Sequence, residues 1–233
     1  MHTSVFVVVT AAVAASAQAQ LTIFRSEAAF TAAAPAQSFF EGFESFTQDT
    51  FFRDGEPAAQ ASGFRLSSLG RSSNSFEFAT GANQGRNVID TGSLIFPRTL
   101  FAQAGELPSG NLVLGFASNT NFVPNLQVLI TFDQAVTSFA ANFFRSNQIA
   151  LTAILADGST LDIGRPDTGS LTINAEFFGF TSTVGVSAIR ISSIAATGTT
   201  FGFDNVRGSF VPTPGAAALL AAGGLVAARR RRS

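Results

Sequence analysis

The sequence predicts an all-β protein whose main domain is an antiparallel β-sandwich, jelly-roll-like in arrangement. Three observations lead to this prediction. Many short segments are rich in strand-forming residues, Gly, Asn, Asp, Ser and Pro fill the gaps between them, and no long helices alternate with them. Such a succession favours two packed antiparallel sheets. No repeat of fixed period is visible, which argues against a propeller or a solenoid.

One short helix is expected at residues 26–34, ahead of the strands. Ser26 is a plausible N-cap, and Phe24 is positioned to pack on Phe30. Pro35 ends the segment, because a residue that precedes proline avoids the helical conformation.

The clearest strand is the segment 126–132, in which every second residue is Leu, Val, Ile or Phe and Leu129 indicates partial cover on the polar side. Asp157-Gly158 predicts a two-residue hairpin turn between two strands. Further strands are predicted at 37–41, 62–69, 111–116, 136–144, 148–155, 176–182, 186–194 and 199–206.

The composition narrows the classes of partner and of chemistry. Of 233 residues, 26 are Phe, whereas Trp, Tyr, Cys and Lys are absent. Phe fills a sandwich core without the polar groups that buried Tyr and Trp must satisfy. Four of the 14 arginines lie at 229–232, so the remaining ten face 15 acidic residues and the body carries a net charge of −5. An acidic body argues against a nucleic-acid partner.

The N-terminus carries the features of a signal peptide. An apolar run at residues 5–15 precedes small residues at Ala15, Ala17 and Ala19, the pattern that signal peptidase accepts. We therefore expect a signal peptide at 1–19, cut after Ala17 or Ala19, with a buried N-terminal strand as the alternative. Cleavage removes His2, the one histidine of the chain.

The C-terminus, residues 211–233, combines a proline box, an apolar stretch and a basic end. The apolar stretch at 215–228 is helix-compatible but shorter than the roughly 20 residues that a free-standing membrane span needs. A cationic cluster stays on the cytoplasmic side of a membrane. The alternative is a loosely hydrophobic tail that ends in solvated charges. The box consists of Val211, Pro212, Thr213 and Pro214, and the basic end of Arg229, Arg230, Arg231 and Arg232.

This order of box, span and basic end resembles the PEP-CTERM sorting signal, in which Glu usually stands where this chain has Thr213. The resemblance implies recognition by an exosortase-type membrane enzyme and removal of the tail. It also implies transient anchoring in the inner membrane and delivery to the cell envelope, the outer surface or the extracellular matrix. The predicted organisation is a signal peptide at 1–19, a β-sandwich at 20–210 and a sorting tail at 211–233.

Two segments that bracket the body, FFEGFESF at 39–46 and FGFDNV at 201–206, also resemble parts of known proteins. Similar segments occur in many PEP-CTERM proteins and in jelly-roll carbohydrate-binding modules, where an early Glu and a late Asp share a structural Ca²⁺. The resemblance implies that Glu41 and Asp204 hold calcium. We expect Asn205, or a backbone carbonyl, to complete the ligand shell, since carboxylate and carbonyl oxygens are suitable ligands. In the alternative, Asp204 and Asn205 cap a turn and Glu41 lies on the surface.

The chemistry open to the mature chain is limited, because it lacks His, Cys, Lys and Tyr. Ser-His-Asp and Cys-His catalysis, Schiff-base chemistry and nearly all zinc sites are excluded. A glycosidase needs only two carboxylates. The candidates are Glu41, Glu44, Glu77, Asp133, Asp157, Asp162 and Glu176, none of them in a recognisable motif.

Two function hypotheses follow. The first is a non-enzymatic protein of the cell surface or matrix, associated with exopolysaccharide; the second is a secreted carbohydrate-active hydrolase. A sugar platform would have to use Phe, for example at 51–52 or 143–144, although core packing is the alternative interpretation of these rings. Asp90 and Asp167 each begin an Asp-Thr-Gly sequence, which we interpret as a strand exit and a turn rather than as a protease dyad.

Overall fold

A computed structural model describes residues 20–70, 87–91, 110–120, 123–144, 148–166, 175–194 and 199–212. The predicted signal peptide, Glu77, Asp167 and residues 213–233 of the predicted tail lie outside these ranges. In chain order the elements are β1 (Leu21–Phe24), α1 (Glu27–Ala33), β2 (Phe39–Glu41), β3 (Thr50–Phe52), β4 (Ala59–Ala61), β5 (Phe64–Leu69), β6 (Asn87–Asp90), β7 (Leu112–Thr120), β8 (Val123–Phe144), β9 (Ile149–Leu155), β10 (Thr160–Gly164), β11 (Glu176–Ser193) and β12 (Thr199–Phe210).

The strands form two layers joined by the long strands β8 and β11, and every pairing among the described strands is antiparallel. The first layer contains β1, the first half of β11, the second half of β8, β12, β7, β6 and β3, with β2 beside β12. The second layer contains β10, β9, the second half of β11, the first half of β8, β5 and β4. The predicted all-β sandwich is thus confirmed.

Two predicted strand boundaries are wrong. Segments 126–132 and 136–144 form one strand, β8, and segments 176–182 and 186–194 form one strand, β11. In β8 the register shifts between Thr131 and Val136 instead of ending in a turn. The chain stays extended there because Asp133 N–H donates to Gly63 O and Ala135 O accepts from Val211 N–H, so other segments satisfy its backbone.

The core between the layers is built largely from phenylalanine. The rings of Phe39 and Phe64 lie 6.0 Å apart and join β2 to β5 across the sandwich. Phe143 and Phe203 lie 5.9 Å apart within the first layer. Phe52 and Phe143 are completely buried, so these two rings cannot stack on sugar. Their neighbours Phe51 and Phe144 are half-buried, and for them the sugar-platform hypothesis stays a prediction. The fully buried rings are Phe30, Phe43, Phe52, Phe64, Phe139, Phe143, Phe178, Phe180, Phe201 and Phe203.

Helix α1 packs on the outer face of the first layer, and its predicted features are confirmed. The Ser26 hydroxyl accepts a hydrogen bond from Ala29 N–H, and the rings of Phe24 and Phe30 lie 5.9 Å apart. Phe30 is buried against β11, where a Cβ added to Gly179 would lie 3.0 Å from its ring. A glycine at 179 therefore gives the helix its close approach to the sheet.

The predicted hairpin between β9 and β10 is also present, with a longer turn. Leu155 O accepts from Gly158 N–H, so Ala156 and Asp157 occupy the centre of the turn and Gly158 follows with a φ of +84°. Hydrogen bonds from Ser159 lower the pKa of the Asp157 carboxyl, whose Oδ1 accepts from Ser159 Oγ at 2.6 Å and Ser159 N–H at 2.9 Å.

Among the described residues, no helix is long and apolar enough to cross a membrane.

Candidate functional site

Glu41, a predicted calcium ligand, is a buried residue at the end of β2. Its Oε1 accepts from Phe43 N–H at 2.6 Å, and its Oε2 accepts from Ser62 N–H at 2.8 Å. Ser62 belongs to the turn between β4 and β5, so the carboxylate links the two layers. The interpretation of Glu41 as a surface residue is wrong, because only 7% of it is exposed.

Asp204 and Asn205 lie next to Glu41 because β12 pairs with β2, in the register Val206 opposite Glu41. The pairing of β12 with β8 shifts between Asp204 and Arg207, which marks a β-bulge. Asn205 occupies this bulge with a φ of 54°, a conformation that Asn tolerates better than most residues. The predicted turn cap is therefore a bulge inside a strand.

The loop after β2 brings a third carboxylate, Glu44, to the same place. Its Oε1 accepts from Asn111 N–H at 3.0 Å. The buried Asn111 side chain donates to Phe43 O at 2.8 Å and to Phe46 O at 2.9 Å, which fixes the path of the loop. Sequence reasoning missed Asn111, because its partners lie 65 to 68 positions away along the chain and nothing in a single sequence reveals such a distant contact.

Asp204 is the acidic group with the clearest perturbation. Burial raises the pKa of its carboxyl from 3.8 to about 6. The hydrogen bond from Asn205 N–H to Asp204 Oδ1, 2.5 Å long, opposes this pKa shift, while the charges of Glu44 and Glu41 add to it. Both Glu44 and Glu41 therefore disfavour the charged form of Asp204.

We expect the free energy of unfolding to rise as the pH falls from about 7.5 to about 5, and Asp204→Asn to remove this dependence. The pKa of the Asp204 carboxyl is about 6 in the folded protein, against an ordinary value of 3.8. As the pH falls from about 7.5 to about 5, the folded protein therefore binds a proton that the unfolded chain does not bind, and this proton stabilises the fold. The stabilisation is lost again as the pH rises through about 6. At about pH 7.5 in EDTA, Asp204→Asn should be more stable than wild type by roughly 1 kcal/mol, after allowance for solvent screening of a half-exposed side chain.

Thermal unfolding across this pH range measures the difference. Asp162→Asn is the matched control, because Asp162 lies in an exposed position where its Oδ1 accepts from Gly164 N–H. A stability difference between wild type and Asp204→Asn that stays constant with pH would contradict the assignment.

The donor atoms of this site suit calcium in kind, since they are carboxylate and carboxamide oxygens. In the part of the chain that the structure describes, however, no three acidic side chains converge closely enough to hold a metal ion. Both oxygens of Glu41 already accept backbone hydrogen bonds. Calcium at Glu41, Asp204 and Asn205 stays a prediction.

The other acidic candidates lie apart from one another. Asp157 and Asp162 accept hydrogen bonds from their own turns. Asp133 Oδ2 accepts from Gln60 Nε2 at 3.3 Å, and Glu176 is half-buried at the start of β11. Asp90 is the last residue of β6, which agrees with the predicted strand exit.

The predicted processing sites fall almost entirely outside the described residues. Val211 and Pro212 are exposed and follow directly after β12. Val211 N–H donates to Ala135 O at 2.8 Å, so the first residue of the box still touches the sandwich. The other predicted processing residues lie outside the described ranges; they are Ala17, Ala19, Thr213, Pro214, Arg229, Arg230, Arg231 and Arg232.

Comparison with known proteins gives remote structural similarity and no sequence family. No protein-family model and no curated protein matches the chain. The K2 cleaved adhesin domain of Lys-gingipain is similar at a TM-score of 0.40 and 12% identity, over 76% of this chain and 99% of that domain. The family 11 carbohydrate-binding module of the cellulase Lic26A-Cel5E of Clostridium thermocellum has a TM-score of 0.33 and 9% identity, over 76% of this chain and 95% of the module.

Proposed function

We propose that this chain is an exported protein of the cell surface or extracellular matrix whose β-sandwich binds exopolysaccharide without catalysis. The sequence of the two ends supports export by signal peptidase and sorting by an exosortase-type enzyme, with transient membrane anchoring through the tail. The acidic body supports a partner other than nucleic acid. A row of outward-facing residues on the second layer of the sandwich supports the binding role.

The observation that carries the proposal is a row of four polar residues and one leucine on the outer face of the second layer. Cross-strand pairing aligns one residue from each of five adjacent strands. Their sequence neighbours Leu66, Val128 and Ile191 are buried in the core, so the row faces outward. The row consists of Ser67, Leu129, Arg190, Thr152 and Asp162.

This row offers the groups that a hydroxyl-rich polymer needs. The Arg190 guanidinium donates hydrogen bonds, the Asp162 carboxylate accepts them, and the hydroxyls of Ser67 and Thr152 do both. With strands spaced about 4.8 Å apart, the row extends over about 19 Å. Helix α1 packs on the first layer, and within the described ranges no helix lies over this face. An extended polysaccharide chain is the ligand that suits such a row of hydrogen-bonding groups best.

A glycan array probed with the full chain tests the proposal, with Arg190→Ala as the informative variant. We expect wild type to retain at least one polysaccharide and Arg190→Ala to bind it about tenfold more weakly, since a charged hydrogen bond contributes about 1.5 kcal/mol. Arg53→Ala is the control, because Arg53 pairs with Glu56 elsewhere on the surface. Unchanged binding by Arg190→Ala would exclude this face.

The alternative function, a carbohydrate-active hydrolase, is favoured by one observation. Asp204, with its pKa raised to about 6, lies in the electrostatic field of Glu44 and Glu41, and a glycosidase needs one such acid beside a second carboxylate. Glu41 is a poor test of this idea, since its loss disturbs two backbone hydrogen bonds. Turnover of any bound glycan that Asp204→Asn abolishes would establish the hydrolase and overturn the binding role.

Calcium at Glu41, Asp204 and Asn205 belongs to the proposal as a structural ion. If calcium binds there, its two positive charges offset the negative charges of the Glu41 and Asp204 carboxylates and raise the melting temperature at neutral pH, in proportion to its occupancy. Wild type should then respond to calcium more strongly than Asp204→Asn. A melting temperature of wild type that calcium leaves unchanged would remove calcium from the proposal.

A further inference from the structure

Gln20 and Val211, near the two limits of the described sandwich, contact the same stretch of β11. Gln20 N–H donates to Thr183 Oγ1 at 3.1 Å, and Gln20 O accepts from Thr183 N–H at 3.1 Å. Two positions further along β11, a Cβ atom placed on Gly185 would lie 3.2 Å from Val211 Cγ2. The fold therefore brings together the points at which the chain enters and leaves the sandwich.

This meeting point is the end of the sandwich at which β8 and β11 pass from one layer to the other. The register of their pairing is interrupted there, between Thr131 and Val136 in β8. Val211 N–H donates to Ala135 O at 2.8 Å, and Ala156 N–H after β9 donates to Gly185 O at 2.9 Å. Backbone hydrogen bonds thus fix the exit of β12 to both crossing strands.

We call this region the crossover end; it consists of Gln20, Gln134, Ala135, Ala156, Thr183, Gly185 and Val211. Its side chains are uncharged, and the acidic residues Asp133 and Asp157 flank it along the chain. No basic side chain of this set would attract it to an anionic membrane, so charge does not give the sandwich an orientation at a lipid surface.

The segments that lead away from the crossover end are short. Residues 213 and 214 alone separate Pro212 from the apolar stretch at 215–228. A chain advances at most about 3.6 Å per residue, so Pro212 lies within about 11 Å of residue 215. Before the leader is cut, the end of its apolar run, Ala15, lies within about 18 Å of Gln20 by the same limit. Two tethers therefore act on the same end.

We propose that these tethers hold the crossover end against the lipid surface for as long as the tail anchors the chain. The inference rests on the proposed function and gives the anchored sandwich an orientation. Arg190 lies five positions beyond Gly185 on β11, about 16 Å from the crossover end. The row that contains it crosses the strands, so it runs along the membrane and stays open to polysaccharide before the tail is removed.

Fluorescence quenching by lipid headgroups tests this orientation. Because the chain has no cysteine, a single introduced thiol places a bimane label at one known position. Gln134→Cys labels the crossover end, and Ile194→Cys is the matched control, since both residues are exposed and Ile194 lies about 30 Å beyond Gly185 along β11. Precursor exported from cells without a sorting enzyme, which lacks the leader and keeps the tail, is reconstituted into phosphatidylcholine vesicles with spin-labelled headgroups.

We expect the label at Gln134→Cys to be quenched about threefold more strongly than the label at Ile194→Cys, because of their different distances from the tether. A flexible Gly-Ser linker of about 16 residues, inserted between Pro214 and Gly215, adds about 22 Å of reach and should remove most of the difference. Thermal unfolding shows that each variant is folded, and Asp133→Cys, also exposed, replaces Gln134→Cys if that variant is not.

Equal quenching at the two positions, in protein that floats with the vesicles, overturns the orientation and leaves the proposed function standing. A difference that the linker does not reduce overturns the tether as its cause. Protein that fails to float with the vesicles removes the proposed membrane anchoring and this inference together, while the glycan array still tests the binding role by itself.

Discussion

Glu41→Ala is expected to destabilise the protein by about 3 kcal/mol, because one buried backbone donor loses its acceptor at a cost of about 2 kcal/mol and one part-buried donor loses a hydrogen bond that contributes about 1 kcal/mol. These donors are Phe43 N–H and Ser62 N–H, one on the loop after β2 and one on the opposite layer. Phe43 also has a φ of 59°, a strained conformation for a bulky residue that the Glu41 hydrogen bond helps to maintain.

Denaturant unfolding in EDTA measures this effect apart from any calcium. Glu41→Gln should lose less stability than Glu41→Ala, because its amide oxygen still accepts one of the two hydrogen bonds. Glu56→Ala is the control, since it removes a surface ion pair to Arg53 and should cost under about 1 kcal/mol. A loss in Glu41→Ala as small as that of the control would show that the carboxylate is not a structural link between the layers.

Phe203→Ala is expected to cost about 3–5 kcal/mol, the range for removing a fully buried ring. Phe203 lies at the centre of the aromatic core, with ring centroids 6.2 Å from Phe43, 5.9 Å from Phe143 and 6.4 Å from Phe201. It connects β12 to β8 and to the loop after β2, so the loss affects the same region that carries Asp204 and Asn205.

Phe40→Ala is the matched control for this second prediction. It removes the same side chain from an exposed position and should change stability by under about 0.5 kcal/mol. Guanidinium-chloride unfolding of both variants, followed by far-ultraviolet circular dichroism, gives the comparison. Equal losses in the two variants would contradict the division between core and exposed phenylalanines.

The sequence predicts local features of this fold well. Helix α1 is recognisable because its cap, its aromatic pair and its terminating proline all lie within 12 residues, at 24–35. The Asp157-Gly158 hairpin is similarly local. The alternation of Val128, Ile130 and Phe132 correctly gives the buried side of β8.

Long-range features escape sequence reasoning for physical reasons. The continuity of β8 through Asp133 depends on Gly63, and that of β11 near Thr183 depends on Gln20, which lies at the start of the described chain. The structural role of Glu41 depends on Ser62, a partner 21 residues away. Pairing of β2 with β12 does bring Glu41 and Asp204 onto neighbouring strands, which a site shared by the two residues requires.

The site shows the same limit. Composition identifies carboxylates as the available chemistry, but it cannot tell that one carboxylate is a structural acceptor and another a half-buried group with a raised pKa. Phe40 and its buried neighbour Phe39 are adjacent in the sequence, and successive side chains of a strand point to opposite faces. Which of the two rings enters the core therefore depends on how β2 is oriented in the sandwich.

The proposal that the sandwich binds exopolysaccharide at the cell surface is tested most directly by intact-mass spectrometry of the protein eluted from the exopolysaccharide fraction of producing cells. The account predicts recovery from that fraction with an N-terminus just after Ala17 or Ala19 and without Arg229, Arg230, Arg231 and Arg232. Recovery of the whole, unprocessed chain from the cytoplasm, with none in the exopolysaccharide, would contradict it.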